Sequence, residues 1–275
     1  MTEHEPGPEP GFDAPAARGM TEDEILTPAL VVDLDALDRN IARMQTFADQ
    51  AGLRLRPHAK THRCADVARL QMAAGAVGLS CQTLSEAEAL ARAGLDDLLI
   101  TNQVRGAAKT RRLARLARRA RIGACVDDAG GVAELSAAAL AEDVRLDVLV
   151  EVDVGGGRCG ASPGFAAAAL ALAVHDAPGL RLAGLQAYDG GAQHVYGWQA
   201  RRDRIAAAAA RLSETLIAME GKGLVPDVVG GAGTGSHRLE AAACLWTELQ
   251  CGSYIFMDVD YAGVLDEADR PLSDH

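Results

Sequence analysis

The sequence predicts an α/β protein whose strands close into a (β/α)8, TIM-type barrel. From Pro28 onward, short runs of leucine and β-branched residues alternate with alanine- and arginine-rich stretches of helical pattern. Repeated strand–helix units indicate a parallel sheet, and eight such units indicate a closed barrel. A doubly wound open sheet is the main alternative, but no G-x-G-x-x-G turn opens the first helix of this sequence.

The predicted elements follow one another in a regular order. An opening strand is predicted at residues 29–33 and a helix at residues 34–50. Further helices are predicted at residues 107–120, 165–175 and 198–221, where the high alanine content favours a helix. The eight barrel strands are predicted at residues 53–57, 77–81, 97–101, 122–126, 146–152, 182–187, 227–230 and 247–251.

The composition indicates a large domain preceded by an acidic segment. The chain has 275 residues, 49% of them hydrophobic, so it can bury a core without disulfides or metal ions. Residues 1–25 carry seven acids, one arginine and four prolines, and we expect a disordered acidic tail there, followed by a barrel at residues 26–258. The net charge of −11 argues against nucleic acid or an anionic membrane as a partner.

Cysteine usage and hydropathy bear on the cellular compartment. The six cysteines are scattered without a C-x-x-C pair, which is typical of free thiols in a reducing cytoplasm. The N-terminal segment lacks the basic start and apolar core of a signal peptide, and no later apolar run is long and regular enough to span a bilayer. We therefore expect a cytoplasmic protein.

Lys60 is the candidate nucleophile, because it follows the first barrel strand in a basic run that includes His58 and His62. Barrel chemistry gathers at the carboxyl ends of strands, where partial burial and nearby positive charge favour the neutral amine that attacks carbonyls. A solvated basic turn is the alternative. Polar and glycine residues at the other strand ends favour an active site over such a turn. These are Gln82, Asn102, Gln103, Asp127, Asp128, residues 153–160 with Arg158, Tyr188, Asp189, and residues 230–236 and 252–254.

The loops after the last two strands are predicted to bind phosphate. Residues 230–236 contain four glycines and two hydroxyls and precede a short helix near His237, while residues 252–254 add donors beside them. A flexible hinge is the alternative for a glycine-rich loop. A phosphate site and a reactive lysine at one barrel end point to pyridoxal 5'-phosphate, PLP. A sugar-phosphate aldolase also uses a Schiff-base lysine, but on a later strand.

The motifs resemble those of the alanine-racemase-like, fold type III PLP enzymes. The likeness is greatest to the branch with D-threonine aldolase, 3-hydroxy-D-aspartate aldolase and D-serine dehydratase, and the last two motifs look most like those of 3-hydroxy-D-aspartate aldolase. It runs from about Thr27 to the end of the chain. The matching stretches are residues 27–33, 56–62, 82, 85–88, 101–104, 153–160, 184–188, 230–236 and 248–254.

The resemblance implies a role for each candidate residue. Lys60 would carry PLP covalently, Arg158 would contact the ring's phenolic oxygen or the substrate carboxylate, and Tyr188 would lie against the ring. A β-hydroxy-D-amino acid, such as 3-hydroxy-D-aspartate or D-threonine, would be cleaved to glycine and an aldehyde by retro-aldol chemistry. His58 would act as a base or proton shuttle, or would instead tune Lys60. Further cofactor contacts are expected at Gln82, Gly233, Thr234, Gly235, Gly252, Ser253 and Tyr254.

The sequence also departs from the family pattern. The family has a second, all-β domain that supplies a late His with a Cys or Asp to a divalent metal (Mg or Mn), and dimers place that domain over the neighbour's site. We expect residues 259–275 to be the start of such a domain or a tail, without metal ligands, and the chain to form a homodimer or to depend on a partner chain. Asp189 stands where relatives have a histidine, and Ser236-His237 replaces a Thr-Tyr pair. A weakly catalytic PLP-binding barrel, a racemase and a D-serine dehydratase remain alternatives.

Overall fold

Eight parallel strands form one sheet in the computed structural model, which describes residues 10–11 and 15–272. Each of the eight predicted barrel strands is present, with end points that differ by a few residues. The strands are β1 Arg54–Leu55, β2 Leu79–Cys81, β3 Asp97–Gln103, β4 Arg121–Val126, β5 Leu146–Glu151, β6 Leu180–Ala187, β7 Val228–Gly231 and β8 Glu248–Leu249.

The helices alternate with the strands as the sequence predicts. The first helix is observed at residues 34–50, with the bounds that were predicted. The α-helices are α1 Leu34–Gln50, α2 Ala65–Ala73, α3 Leu84–Arg92, α4 Ala107–Leu116, α5 Ala129–Ala141, α6 Phe165–Asp176, α7 Trp198–Glu220 and α8 His237–Ala243. Short 3-10 turns lie at Ala59–Thr61, Gly190–His194, Ser253–Ile255 and Tyr261–Gly263.

The sheet closes into the predicted barrel. Its strand order is β1-β8-β7-β6-β5-β4-β3-β2, so β1 and β2 are the last pair to be joined. They are joined by the Val77 N–H, which donates to the Leu55 carbonyl at 2.9 Å, and by the Ser80 N–H, which donates to the Pro57 carbonyl at 2.8 Å. Strand β1 has only two residues, but its hydrogen bonds to the β8 side continue past Pro57, since the His58 N–H donates to the Cys251 carbonyl at 3.0 Å. The (β/α)8 prediction is therefore confirmed.

Two apolar layers result from the alternation of side chains along the strands. Residues such as Leu98 and Ile100 face the helices and join the main core, together with helix alanines such as Ala167 and Ala171, whose small side chains let the helices approach the sheet closely. The intervening residue Leu99 belongs to a separate cluster, which we assign to the barrel interior. That cluster consists of Leu99, Cys125, Leu149 and Ala183.

A ring of ion pairs lies at the amino ends of β3 to β8, and Arg56 reaches it from the position that follows β1. Arg56 pairs with Asp97 at 2.6 Å and with Glu248 at 3.0 Å, and Arg121 bridges Asp97 and Asp147 at 3.2 and 3.1 Å. Arg181 continues the ring by pairing with Asp147 and with Asp227. Gly78 is required beside it, because a Cβ there would lie 2.7 Å from the Asp97 carbonyl oxygen as well as 2.1 Å from Arg56 Nη1. The ring closes the end of the barrel opposite the strand carboxyl ends.

The described residues up to Asp38 form a unit separate from the described residues that begin at Arg39. The predicted strand at residues 29–33 is wrong: no strand forms there, and Leu30 and Val31 are exposed. Their β-propensity does not suffice, because a strand needs a paired neighbour, and this segment has none within residues 15–272. Glu22–Glu24 form a 3-10 turn. The rest of the predicted disordered tail includes residues 1–9 and 12–14, which lie outside the described residues.

The segment after the barrel, predicted to be a domain start or a tail, is folded as far as residue 272. Val264 and Leu272 are buried in a small cluster with Tyr261, and the Leu265 N–H donates to the Tyr196 carbonyl at 3.0 Å. All six cysteines are free thiols. None of the helices in the described part of the chain combines the length and the apolar character needed to cross a bilayer.

Candidate active site

A cavity of about 410 Å³ opens at the carboxyl ends of the strands. The barrel thus brings most of the predicted site residues together from loops far apart in sequence. Gly235 and Tyr254 do not line it, although their neighbours do. The predicted residues that line the cavity are His58, Lys60, Gln82, Asn102, Gln103, Arg158, Tyr188, Gly233, Thr234, Gly252 and Ser253, with Cys159 and Ala232 from the predicted loops, and they are joined there by Thr101, Gln186, Gln250 and Tyr261.

Lys60 lies in the 3-10 turn that directly follows β1. Its ammonium group reaches the open cavity, but the surrounding wall removes part of its hydration, and this desolvation is the main reason why its pKa lies below that of an ordinary lysine. The positive charge of Arg158 lowers the pKa of Lys60 further, while Glu86 opposes the shift. More of the amine is therefore neutral at physiological pH, as a nucleophile requires.

His58 is buried at the base of the same turn. Its Nδ1 accepts the Lys60 backbone N–H at 3.4 Å, so Nε2 carries the proton and donates to Thr101 Oγ1 at 3.0 Å. Burial, assisted by the charges of Lys60 and Arg158, lowers the pKa of His58 to about 3. Since both ring nitrogens are engaged and the ring is neutral, this geometry favours a role in positioning Lys60 over a role as the base.

Arg158 and Tyr188 form one wall of the cavity. The guanidinium carbon of Arg158 lies 5.5 Å from the centre of the Tyr188 ring, and burial raises the pKa of the Tyr188 phenol to about 12, so the phenol stays neutral. Arg158 forms an ion pair with Glu151, whose Oε1 lies 3.5 Å from Arg158 Nη2. The other oxygen of Glu151 accepts a hydrogen bond from Gln103 Nε2 at 2.6 Å.

The two glycine-containing loops offer free donors to the cavity. Thr234, Gly252 and Ser253 line it, and their backbone N–H groups have no acceptor in the described part of the chain. By contrast, the Gly235 N–H donates to Gln193 Oε1 at 2.8 Å and the Tyr254 N–H donates to Thr234 Oγ1 at 2.9 Å. Gly235 and Tyr254 therefore hold the loops in place and do not offer these groups to a ligand.

A side chain at either of two glycines in these loops would meet neighbouring protein atoms. A Cβ at Gly233 would lie 2.5 Å from the Gln193 side chain, and a Cβ at Gly252 would lie 2.8 Å from Thr61 Oγ1. The sequence-based explanation, close approach of a bound anion, is thus not required at these two positions. The set of donors nevertheless fits a phosphate ester, because free N–H groups and the hydroxyls of Thr234 and Ser253 converge near a lysine.

Asp189 and Ser236, which are expected from the sequence to differ from the family pattern, lie behind the cavity wall. Asp189 is buried and accepts two hydrogen bonds from Arg204, at 2.5 and 2.7 Å, as well as one from the Gly191 N–H at 3.0 Å. Ser236 lies under the glycine loop, where it contacts Gln193 and Glu240. Neither residue lines the cavity.

Sequence reasoning missed several residues of the site. Glu151 sits at the end of the apolar strand β5, where a lone acid in a hydrophobic run was the only available signal. Tyr261 reaches the cavity from a 3-10 turn beyond β8, and its local pattern gives no indication of that position. For the metal, no group of three His, Cys, Asp or Glu side chains that could hold an ion occurs among the residues described.

Comparisons with known proteins agree with this geometry. The family model described as alanine racemase, N-terminal domain, matches residues 32–260. The chain is 47% identical over 262 residues to a 3-hydroxy-D-aspartate aldolase of Paracoccus denitrificans (strain Pd 1222), a match that covers 94% of this chain and 68% of that protein. It is 44% identical to a D-threonine aldolase of an Arthrobacter species, over 94% of this chain and 68% of that protein.

Among solved structures, the fold matches a D-threonine aldolase from Filomicrobium marinum with a TM-score of 0.91 and 48% sequence identity. That match covers 92% of this chain and 68% of the other. The predicted resemblance is therefore confirmed: the chain belongs to the alanine racemase N-terminal domain family, in the fold type III branch that contains these aldolases.

Proposed function

We propose that the protein is a PLP-dependent lyase that cleaves a β-hydroxy-D-amino acid to glycine and an aldehyde. The observation that carries the proposal is that the Lys60 amine, with its lowered pKa, faces the same cavity as the free donors of Thr234, Gly252 and Ser253. The substrate class follows from the relatives, which are named 3-hydroxy-D-aspartate aldolase and D-threonine aldolase.

Different residues of the cavity would contact different parts of the cofactor. Free N–H groups of the two loops, with the hydroxyls of Thr234 and Ser253, would hold the cofactor phosphate. Tyr188 would pack against the ring, and Gln82 lies on the cavity wall. The guanidinium of Arg158 presents paired donors that suit a phenolate or a carboxylate oxygen.

The bound cofactor would supply an electron-poor ring that stabilises negative charge at the substrate α-carbon. Cleavage of the Cα–Cβ bond then requires a base for the proton of the β-hydroxyl group. His58 is poorly suited, because both of its nitrogens are engaged and burial lowers its pKa to about 3. The Lys60 amine is the base that we propose for this proton, because burial and the charge of Arg158 lower its pKa.

Product analysis tests the proposal. Incubation with 3-hydroxy-D-aspartate should yield glycine and glyoxylate, and incubation with D-threonine should yield glycine and acetaldehyde. Pyruvate from D-serine without glycine from either hydroxy amino acid would indicate a dehydratase instead. Bound cofactor without any product would support the weakly catalytic PLP-binding barrel.

Two further expectations belong to the proposal, a cytoplasmic location and a homodimer, whereas the divalent metal expected in the family has no ligand group among the described residues. A metal would polarise the substrate hydroxyl. Treatment with a chelator, followed by addition of Mg²⁺ or Mn²⁺, tests the metal, because aldol cleavage should fall and then recover if an ion takes part. Sedimentation of the purified chain tests the dimer.

A further inference from the structure

Glu240 is a buried carboxyl group beneath the glycine loop of the cavity. It lies in α8 and only 2% of its surface is exposed. Its Oε1 accepts a hydrogen bond from the Ser236 hydroxyl at 2.8 Å. Its Oε2 is buried and has no hydrogen-bond partner among the described residues. An unpartnered buried carboxylate oxygen is costly, so this group has a strong tendency to bind a proton.

A short chain of hydrogen bonds connects Glu240 to the loop. The Ser236 hydroxyl oxygen accepts from Gln193 Nε2 at 2.7 Å and, more weakly, from the Gly233 N–H at 3.4 Å. Gln193 also accepts the Gly235 N–H through Oε1. The carboxyl group is therefore linked through Ser236 and Gln193 to Gly233 and Gly235, which flank Thr234, a residue whose free N–H faces the cavity.

The charges around Glu240 are also fixed by the structure. Burial is the main cause that raises its pKa, to about 7, and the negative charge of Asp189 adds to the shift. Arg201 from α7 opposes it, but its guanidinium donates to the carbonyls of Val195 and Tyr196 and does not form an ion pair with Glu240. The other titratable groups on the elements around Glu240 are Tyr188 on the β6 side, Arg204 on α7, His237 and Arg238 on α8, and Cys251 after β8.

We propose that Glu240 takes up one proton from solvent when the phosphate of the cofactor binds to the loop, so that cofactor binding weakens as the pH rises. The proposal rests on the proposed function, which places a phosphate ester at this loop. A bound phosphate carries a charge of about −1.5 to −2. Such a charge next to a buried carboxylate favours the neutral acid, and the only covalent change is an O–H bond at Glu240.

The direction of the pH effect follows from linkage. The bound state holds the proton more tightly than the free state, so the pKa of Glu240 is higher in the complex. Binding is then strongest when the free protein already carries the proton, below a pH of about 7. Above that value, the dissociation constant of the wild type should rise by up to about tenfold per pH unit until the pKa of the complex is reached.

Glu240→Gln isolates this effect. Glutamine is close in shape to the protonated acid: its carbonyl oxygen can accept the Ser236 hydroxyl, and it cannot titrate. The exposed Glu220→Gln at the end of α7 is a matched control. The probe is pyridoxine 5'-phosphate, which has the phosphate but lacks the aldehyde, so that Lys60 cannot form a covalent bond with it.

Calorimetric titrations of the full chain in two buffers with different ionisation enthalpies count the protons taken up. At a pH of about 8, the wild type and Glu220→Gln should take up close to one proton more than Glu240→Gln. The ratio of the wild-type dissociation constant to that of Glu240→Gln should rise about tenfold or more between about pH 6.5 and about pH 8.5.

Parallel pH profiles for the wild type and Glu240→Gln would overturn the inference while leaving the proposed function intact. If neither protein binds the probe, the phosphate site fails, and both the inference and the proposed function fail with it. Should Glu240→Gln not fold, the wild type alone decides the matter, because binding without proton uptake at a pH of about 8 contradicts the proposal.

Discussion

Arg158 and the cavity wall set the reactivity of Lys60. Burial and the neighbouring guanidinium act in the same direction, since each disfavours the charged ammonium group. Glu86 acts against them, so the neutral amine depends on the balance of these three influences. At the scale of single residues, the ionisation of these groups can therefore be tested without a substrate.

Replacing Arg158 by glutamine should raise the pKa of Lys60, because it removes a positive charge and leaves burial nearly unchanged. The pH midpoint for covalent attachment of PLP to the cofactor-free protein should move up by on the order of one pH unit. Stopped-flow absorbance measures this rate across a pH series. Arg158→Lys keeps the charge and should behave more like the wild type, whereas an unchanged midpoint in Arg158→Gln would show that Arg158 does not tune Lys60.

The ring of His58 should remain neutral throughout the range in which histidines usually titrate. Its pKa of about 3 results from burial first and from the nearby charges of Lys60 and Arg158 second. The ring resonances of His58, assigned by their loss in His58→Gln, should not move between about pH 5 and about pH 8 in an NMR titration. Movement in that interval would restore His58 as a candidate base.

The sequence identified some of these residues better than others. Lys60 could be predicted because a lysine beside histidines after a strand is a local signal. Glu151, Tyr261 and Glu240 could not, since their positions depend on how distant segments come together. Gly235 and Tyr254 were predicted to contact the phosphate, but their N–H groups are engaged inside the protein. A sequence motif predicts which loop binds a ligand more reliably than it predicts which atoms of that loop contact the ligand.

At the scale of elements, the ion-pair ring holds together the strand ends opposite the site. Arg56 is central to it, because its side chain is 10% exposed and its partner Glu248 is 1% exposed. Arg121 lies in the same ring but its side chain is 61% exposed. Water screens an exposed pair, whereas a buried carboxylate that loses its partner keeps the full cost of desolvation.

Arg56→Met should therefore destabilise the fold far more than Arg121→Met. The expected loss in the free energy of unfolding is about 3–5 kcal/mol for Arg56→Met. For Arg121→Met the loss should be about 1 kcal/mol or less. Urea denaturation followed by circular dichroism measures both variants, and equal losses would contradict this view of the ring.

The elements that the sequence predicted best are those with strong periodicity. The helix at residues 34–50 was predicted with its observed ends, while β1 and β8 are shorter than predicted. The strand expected at residues 29–33 failed because pairing, which is not a local property, decides whether an apolar run becomes a strand. The hydrogen bonds that join β1 to β2 likewise form between residues that are distant in sequence, such as Leu55 and Val77.

At the scale of the whole molecule, the barrel brings together at one end residues that the sequence separates by roughly two hundred positions, from His58 to Tyr261. The alternation of strands and helices was sufficient to predict this topology, because a parallel barrel places all strand carboxyl ends on one face. The motifs on that face indicate the family, and the matches to the two aldolases each cover 94% of this chain.

The central claim is that Lys60 bonds covalently to PLP in this cavity. Reduction of the cofactor-loaded protein with borohydride fixes that bond, and mass spectrometry of its peptides locates it. The chain has only three lysines, Lys60, Lys109 and Lys222, so the assignment is unambiguous. The account predicts a pyridoxyl label on Lys60 alone, together with loss of the visible absorbance band in Lys60→Ala but not in Lys109→Ala. A label on Lys109 or Lys222, or no label at all, would contradict it.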